Sequence, residues 1–266
     1  MSDIIKEFHI KAKKSFGQNF LINTSVLETI ASEFNIEGKN IVEVGPGYGA
    51  LTQYLLAEQP DSLTLVELDR DMIAVLETRI GKGELDTKNT DFEIKNQDVL
   101  LYEPKYEKYF VIANIPYYIT SPILKRFLYD TKHKPEAMLI LMQKEVAEKI
   151  VSRKNKTSVL SLFIQKKAHT SKVIDVKNTD FKPAPKVDSI VLKFESHSLY
   201  SDSDDEKFLE FIKIAFKEPR KFLIKNLASK YEISKLEQVF DELGLDKKIR
   251  AEDVQIEDYL KMMEKI

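Results

Sequence analysis

The segment Asn114-Ile115-Pro116-Tyr117-Tyr118 carries the most specific chemistry in this sequence. An exocyclic amine on an aromatic base has two N–H donors and a lone pair delocalised into the ring. A transfer to that nitrogen therefore needs acceptors that hold the hydrogens and leave the lone pair aimed at the incoming group. The Asn114 amide oxygen and the Ile115 carbonyl are two such acceptors, and Pro116 has no N–H to compete for them. Tyr117 adds a flat face against which an extruded base can stack. No strong general base is required, because a methylated amine of this kind is an acidic cation that loses its proton to water; positioning carries the catalysis. Alone, the same five residues also read as an ordinary Asn-x-Pro turn that closes a strand.

Upstream, Val42-Glu43-Val44-Gly45-Pro46-Gly47-Tyr48-Gly49 puts closely spaced glycines after an apolar strand and before a helix expected to start near Ala50. Backbone without Cβ atoms approaches a ligand closely, and a helix start offers free N–H groups. The spacing is G-x-G-x-G, whereas the dinucleotide cradle is G-x-G-x-x-G, so a pyrophosphate is not the favoured ligand. Glu67 follows at the end of the next strand, where a carboxylate can accept both hydroxyls of a ribose. Asp98, just after a third strand, is placed to accept from an adenine amine. Each feature has a plain conformational explanation when taken singly. Together Gly45, Glu67, Asp98 and Asn114 fall at successive strand ends, where open parallel sheets bind ligands, and an adenosine-bearing cofactor fits them.

The elements that must position these residues alternate short apolar runs with amphipathic segments between residue 41 and about residue 195. Expected strands are 40–44, 62–67, 91–95, 110–113, 137–142, 159–165 and 189–194; expected helices are 51–58, 72–80, 122–129 and 145–151. Thr24 or Ser25 is expected to cap a helix whose apolar face carries Val26, Leu27, Ile30 and Phe34. Serine and acidic residues over 196–206 suggest a linker, and beyond it only helical periodicity appears. The expected fold is α/β, a Rossmann-like domain with a mostly parallel sheet over 1–195, plus a small all-helical domain over 205–266.

Composition bounds the function further. The chain has 266 residues, enough for one large domain and a small one, and a formal charge of -2 at neutral pH gives no global sign of a polyanion partner. Any RNA surface must be local. Between 144 and 177 there are nine Lys or Arg (144, 149, 153, 154, 156, 166, 167, 172, 177) against three acidic residues. A second basic cluster spans 213–230, with Lys213, Lys217, Arg220, Lys221, Lys225 and Lys230, and Lys11, Lys13 and Lys14 form a third. Such charges position a phosphate backbone without reading sequence. Cysteine is absent, which excludes disulfides, thiolate metal sites and cytosine methylation through a cysteine nucleophile. No metal site is expected. No stretch has the apolar length of a membrane span, so a cytoplasmic, monomeric protein is expected.

The motifs do not stand alone. Gly17-Gln18-Asn19-Phe20-Leu21, Glu43 to Thr52, Glu67-Leu68-Asp69, Asn114-Ile115-Pro116-Tyr117, Gln143-Lys144-Glu145-Val146, Phe181 to Ser189 and Arg250-Ala251-Glu252 occur in that order across nearly the whole chain. Together they closely resemble the KsgA (RsmA) family of small-subunit ribosomal RNA adenine dimethyltransferases. The resemblance implies S-adenosylmethionine as cofactor and a class I methyltransferase fold. It also implies dimethylation at N6 of two adjacent adenosines near the 3′ end of 16S ribosomal RNA, on a pre-30S particle. Carried over motif by motif, Asn19, Leu21, Gly45, Gly47, Glu67, Asp98 and Asn114 would contact the cofactor. Asn114, Pro116, Tyr117 and Phe181 would form the catalytic site, with Phe181 stacking on the base opposite Tyr117 or serving simply as a core aromatic. Two segments depart from the family pattern, Thr157-Ser158 and Pro219-Arg220-Lys221, the first expected to touch packing and the second RNA docking.

Three other readings compete. An Erm-type enzyme acting on large-subunit RNA has a similar Asn-(Ile or Leu)-Pro-Tyr segment, but Gly49-Ala50-Leu51-Thr52 and Arg250-Ala251-Glu252 favour the small-subunit family. A non-catalytic assembly factor has no need of both the glycine loop and Asn114. A nicotinamide-dependent dehydrogenase leaves the Asn-Ile-Pro-Tyr segment unexplained.

Overall fold

Four apolar runs of five to seven residues form the centre of a sheet because both of its faces are covered. In this computed structural model, which describes residues 4, 7–8, 10, 12–13, 17–151, 156–201 and 203–266 (Tyr117 by its backbone only), the chain divides into two compact units. The first comprises residues 1–147 and 171–196, the second 148–170 and 197–266.

In the first unit, β2 (Asn40–Val44), β3 (Ser62–Glu67), β4 (Asp91–Asn96), β5 (Phe110–Asn114) and β6 (Ala137–Gln143) pair in parallel, and β9 (Ser189–Ser196) runs antiparallel to β6. The full order is β4-β3-β2-β5-β6-β9-β7, with β7 (Ala168–Val176) at the edge; its first three residues belong to the second unit. β3 is buried along its whole length, whereas β4, at the opposite edge, has no fully buried residue. Because β3 lies on one side of β2 and β5 on the other, the topological switch falls beyond Val44 and Asn114, where such sheets open a crevice. A separate two-stranded ribbon joins β1 (Phe20–Leu21) to β8 (Phe181–Lys182), with Leu21 opposite Phe181.

Helix α1 (Thr24–Ser32) is capped by Asn23, not by Thr24 or Ser25 as expected: the Asn23 side chain accepts from the N–H groups of Ser25 and Val26. Helix α2 (Thr52–Ala57) begins two residues later than Ala50, and α3 (Arg70–Gly81) is capped by Asp69. After β5 come α4 (Thr120–Lys125), which continues into a π-helical turn at Arg126–Asp130, and α5 (Lys144–Ile150), which follows β6.

The expected strand at 159–165 is instead helix α6 (Val159–Gln165) in the second unit. Ser158 and Ser161 cap each other reciprocally at its start, and Ser161, Leu162, Phe163 and Ile164 are all buried. A helix buried all round shows no 3.6-residue alternation, so its apolar run looks like a strand. The strand of this region is β7, whose largely exposed sequence AHTSKVIDV lacks the apolar run of its neighbours.

Among the described residues, four further helices belong to the second unit: α7 (Asp205–Ala215), α8 (Leu223–Leu227), α9 (Ile233–Leu243) and α10 (Ile256–Lys265). Helix α7 starts inside the expected linker, with Asp204 as its cap. The boundary at 196 matches the composition shift, but residues 148–170, expected in the first domain, cluster with the C-terminal residues. Thr157 explains part of this: its N–H donates to the Glu252 carbonyl at 2.7 Å and its hydroxyl to the Val254 carbonyl at 3.0 Å. The departure from the family pattern at Thr157-Ser158 thus supplies one inter-segment tie and one helix cap.

Candidate active site

Both faces of the glycine loop are tied down before any ligand is considered. Glu43, near the end of β2, is 2% exposed and accepts a 2.7 Å hydrogen bond from the Thr52 hydroxyl at the start of α2, so one side-chain bond brackets the loop. Arg79, buried on α3, donates to the carbonyls of Tyr48 at 2.7 Å and Gly49 at 3.1 Å and pairs with Glu84. Gly47 has φ +57°, and a Cβ there would stand 3.1 Å from the Phe20 ring, so both conformation and space favour glycine. At Gly45 a Cβ would point toward the Asn114 carbonyl, 3.5 Å away, which is how closely the two strand ends approach at the switch point.

Glu67 ends β3 and is buried, at 8% exposure. Oε2 accepts from the Gly47 N–H at 3.1 Å, and Oε1 accepts from the N–H groups of Leu68 and Asp69, both at 2.8 Å. Burial pushes its carboxyl upward and these three backbone donors oppose that. A carboxylate offers about four lone-pair sites, so with three amides bound the simple picture of one group accepting two ribose hydroxyls tightens to one free site on Oε2. Asp98 caps the 3-10 turn Val99–Leu101 through Leu100 N–H at 2.9 Å. That loop is held from outside by Arg126, whose Nη2 donates to the Tyr102 carbonyl and to Glu103, both at 2.7 Å.

These residues converge. A cleft, partly open to solvent, is lined by Asn19, Leu21, Gly45, Gly47, Glu67, Asp98, Asn114, Pro116 and Phe181, all in the first unit. It therefore brings together every residue expected to contact cofactor or base except Tyr117, whose side chain lies outside the described part of the structure. Phe181 is 4% exposed and packed in the core as well as lining the cleft, so both expectations for it describe the same position. The sequence reading assigned no role to Glu43, Gln18, Asp69, Arg79 or Tyr118. Tyr118 is 67% exposed at the cleft, and its ring reaches within 3.4 Å of where a Gly17 Cβ would sit. Gln18, Glu43, Asp69 and Tyr118 stand within the quoted motifs, but nothing in their types or spacing marked them individually, and Arg79 carried no signal at all.

Burial pushes the Glu43 carboxyl up to about 8, with the nearby Glu67 adding to the shift and the Thr52 hydroxyl opposing it. An acid whose folded value is raised from 4.5 to about 8 keeps its proton where the unfolded chain has lost it. Its contribution to stability is full below 4.5, falls by about 1.4 kcal/mol per pH unit across that window, and levels off above 8. Glu43→Gln is expected to remove this slope: urea midpoints from pH 5 to 8 should fall less steeply in the variant than in the wild type. Parallel slopes would show that the folded protein holds Glu43 ionised.

The basic clusters are less free than their sequence implies. Lys166 is buried, bonded to Asp205 and to the Ser203 carbonyl, and burial lowers its pKa; it cannot face RNA as expected. Lys167 also pairs with Asp205, Lys156 with Glu252, Lys172 with Asp175, Lys221 with Glu218 and Lys230 with Glu210. Lys13 is engaged by Asp69 and Asp71. Lys11, Lys14, Arg153 and Lys154 lie outside the described residues. No group of His, Cys, Asp and Glu among the described residues has the arrangement of a metal site, and no described helix is long and apolar enough to cross a membrane.

A parallel sheet that opens a cleft at its switch point, with a glycine loop, a buried carboxylate at the end of the neighbouring strand and an Asn-Ile-Pro segment on its rim, is the fold of a class I methyltransferase. Among solved structures, a dimethyladenosine transferase from Plasmodium falciparum superposes with a TM-score of 0.80 at 23% identity, covering 91% of this chain and 95% of that one. The 23S rRNA methyltransferase ErmE gives 0.74 at 25% identity, covering 93% and 99%. The family model for ribosomal RNA adenine dimethylase matches residues 9–266. Proteins named ribosomal RNA small subunit methyltransferase A are 37% identical in Mycoplasma mobile, over 93% of this chain and 95% of that protein, and 33% identical in Pelagibacter ubique, over 96% of each. The chain belongs to the ribosomal RNA adenine dimethylase family.

Proposed function

We propose that this enzyme transfers methyl groups from S-adenosylmethionine to N6 of two adjacent adenosines near the 3′ end of 16S ribosomal RNA, during small-subunit assembly. The observation that carries the reading is the convergence of the glycine loop, Glu67, Asp98 and Asn114 on one cleft, in a chain of this family. The first compact unit performs the catalysis, since every residue lining the cleft falls within it.

The donor set suits an adenosine. Glu67 Oε2 retains an acceptor site for a ribose hydroxyl, and Asp98 has an oxygen beyond the one capping Leu100 for an adenine amine. Leu21 and Phe181 wall the cleft with apolar surface. When bound, S-adenosylmethionine supplies an electrophilic methyl group. The chain's own contribution is placement: the Asn114 amide oxygen and the Ile115 carbonyl accept the two amine hydrogens, and Phe181 presents a ring for the base. Tyr117 is assigned the opposite face of that base. Among the basic residues of 144–177 and 213–230, RNA contact falls to those not engaged by carboxylates; Lys213, Lys217, Arg220 and Lys225 are the candidates of the second cluster.

The fold does not separate this reading from the Erm type, because ErmE shares it. Relatives 33 to 37% identical over nearly their whole length carry the small-subunit name. Labelled methyl transfer to unmethylated small-subunit particles and, in parallel, to naked large-subunit RNA tests the choice. Dimethyladenosine confined to the small-subunit particles is expected; label in the large-subunit RNA would overturn the assignment.

A further inference from the structure

Asp69 is buried, at 2% exposure, although it caps a helix whose start faces the cleft side of the sheet. An N-cap carboxylate needs only the helix's own N–H groups, and Asp69 meets that need through Oδ1, which accepts from Asp71 N–H at 3.1 Å. Its remaining capacity is directed elsewhere. Oδ2 accepts from the Gln18 side-chain amide at 2.9 Å, and Oδ1 also accepts from the Lys13 ammonium at 2.6 Å. Gln18 in turn accepts from the Lys13 backbone N–H at 2.9 Å, closing a three-residue ring of bonds. On its other side, the Asp69 N–H donates to Glu67 Oε1.

We propose that Asp69 is a positioning residue for the cofactor, joining the ribose-binding carboxylate of Glu67 to the segment that carries Asn19 and Leu21. The inference rests on the reading of the cleft as the S-adenosylmethionine site. Residues 17–19 lie in no strand or helix, and Gly17 turns at φ +59°, so this stretch of cleft wall takes its place from side-chain anchors. Asn19 spends its own amide donor on the Gly17 carbonyl, and the next residue, Phe20, starts the two-residue strand β1. Asp69 fixes Gln18, and through it the approach of Asn19 and Leu21 to the cleft. Although burial pushes the Asp69 carboxyl up, the bonds from Lys13, Gln18 and Asp71 outweigh it and the group stays below its ordinary value, ready to accept from all three.

The experiment compares S-adenosylmethionine binding by calorimetry, steady-state KM and kcat on small-subunit particles, and urea midpoints without cofactor. Asp69→Asn keeps the size and, with its oxygen in the Oδ1 position, the helix cap, but sets an NH₂ against the Gln18 amide. Gln18→Met leaves the cap untouched and removes the bond to Asp69 together with the one accepted from the Lys13 N–H, so it serves where Asp69→Asn folds poorly. Loss of one hydrogen bond to a charged group corresponds to about 10- to 150-fold in affinity when it acts on the ligand directly, and its lower end, about tenfold, applies where it acts through a neighbour. Both variants are expected to raise Kd and KM for the cofactor by about that factor, with kcat at saturation within about twofold of wild type. Unchanged cofactor affinity in both, or a fall in kcat at unchanged KM, overturns the positioning role. If the wild type itself binds no S-adenosylmethionine, the cofactor reading fails and this inference with it.

Discussion

Asn114→Ala is expected to lower the rate of methyl transfer by about 10² to 10³, the cost typical of deleting one preorganised hydrogen-bonding group at a reacting centre. Asn114 is the last residue of β5, in register with Leu141 of β6, so the backbone that carries it is fixed by the sheet and not by its own side chain. Truncation therefore removes the amide without moving the strand end. The Gly45 loop approaches the Asn114 backbone carbonyl, which alanine retains. With the cofactor contacts proposed for Glu67, Asp98 and the loop all retained, cofactor binding should weaken only several-fold. The effect belongs in the chemical step because an amine with one hydrogen unheld no longer keeps its lone pair aimed at the methyl. Single-turnover transfer at saturating cofactor and RNA is the measurement; a rate within tenfold of wild type would remove Asn114 from the role of orienting the amine.

That this residue was legible in sequence, while Arg79 and Asp69 were not, has a physical basis. Asn114, Glu67 and Gly45 each close or follow a short apolar run that alternates with amphipathic segments and so reads as a buried parallel strand, and chemistry-bearing residues at such ends stand out against their surroundings. Arg79 sits in the last turn of α3 and Asp69 at its start, where a basic and an acidic residue are ordinary on dipole and capping grounds alone. Their reach across 30 residues to Gly49 and 51 residues to Gln18 is a property of the folded chain. The same reasoning accounts for α6: local apolar content is identical for a buried strand and a helix buried all round, and the Ser158–Ser161 cap that decides between them looks like any serine pair. Charge clusters misled for the opposite reason. Lys166 counts toward a basic patch in sequence, yet Asp205, which neutralises it, is 39 residues away.

Glu67→Gln should fold and yet lose cofactor affinity by about 10- to 150-fold, because the substitution replaces one acceptor oxygen with a donor. The carboxylate faces N–H groups on both sides, two on Oε1 from Leu68 and Asp69 and one on Oε2 from Gly47. An amide satisfies only one side. The favoured orientation keeps its oxygen on Leu68 and Asp69 and turns its NH₂ against the Gly47 N–H, two donors in contact. Gly47 then has to move, and its φ of +57° with the Phe20 ring close behind leaves the loop little room to do so without changing the cleft wall. The same NH₂ occupies the position from which Oε2 would accept a ribose hydroxyl, so the loop and the ligand lose their acceptor together. A hydrogen bond to a charged group contributes about 1.5 to 3 kcal/mol, which sets the stated range of affinity. Because two of the three backbone donors keep their partner, stability should suffer less than binding. Calorimetry with S-adenosylmethionine alongside urea unfolding separates the two effects: unchanged affinity would mean that Glu67 serves only to brace the loop, and the ribose contact would have to be sought elsewhere on the cleft wall.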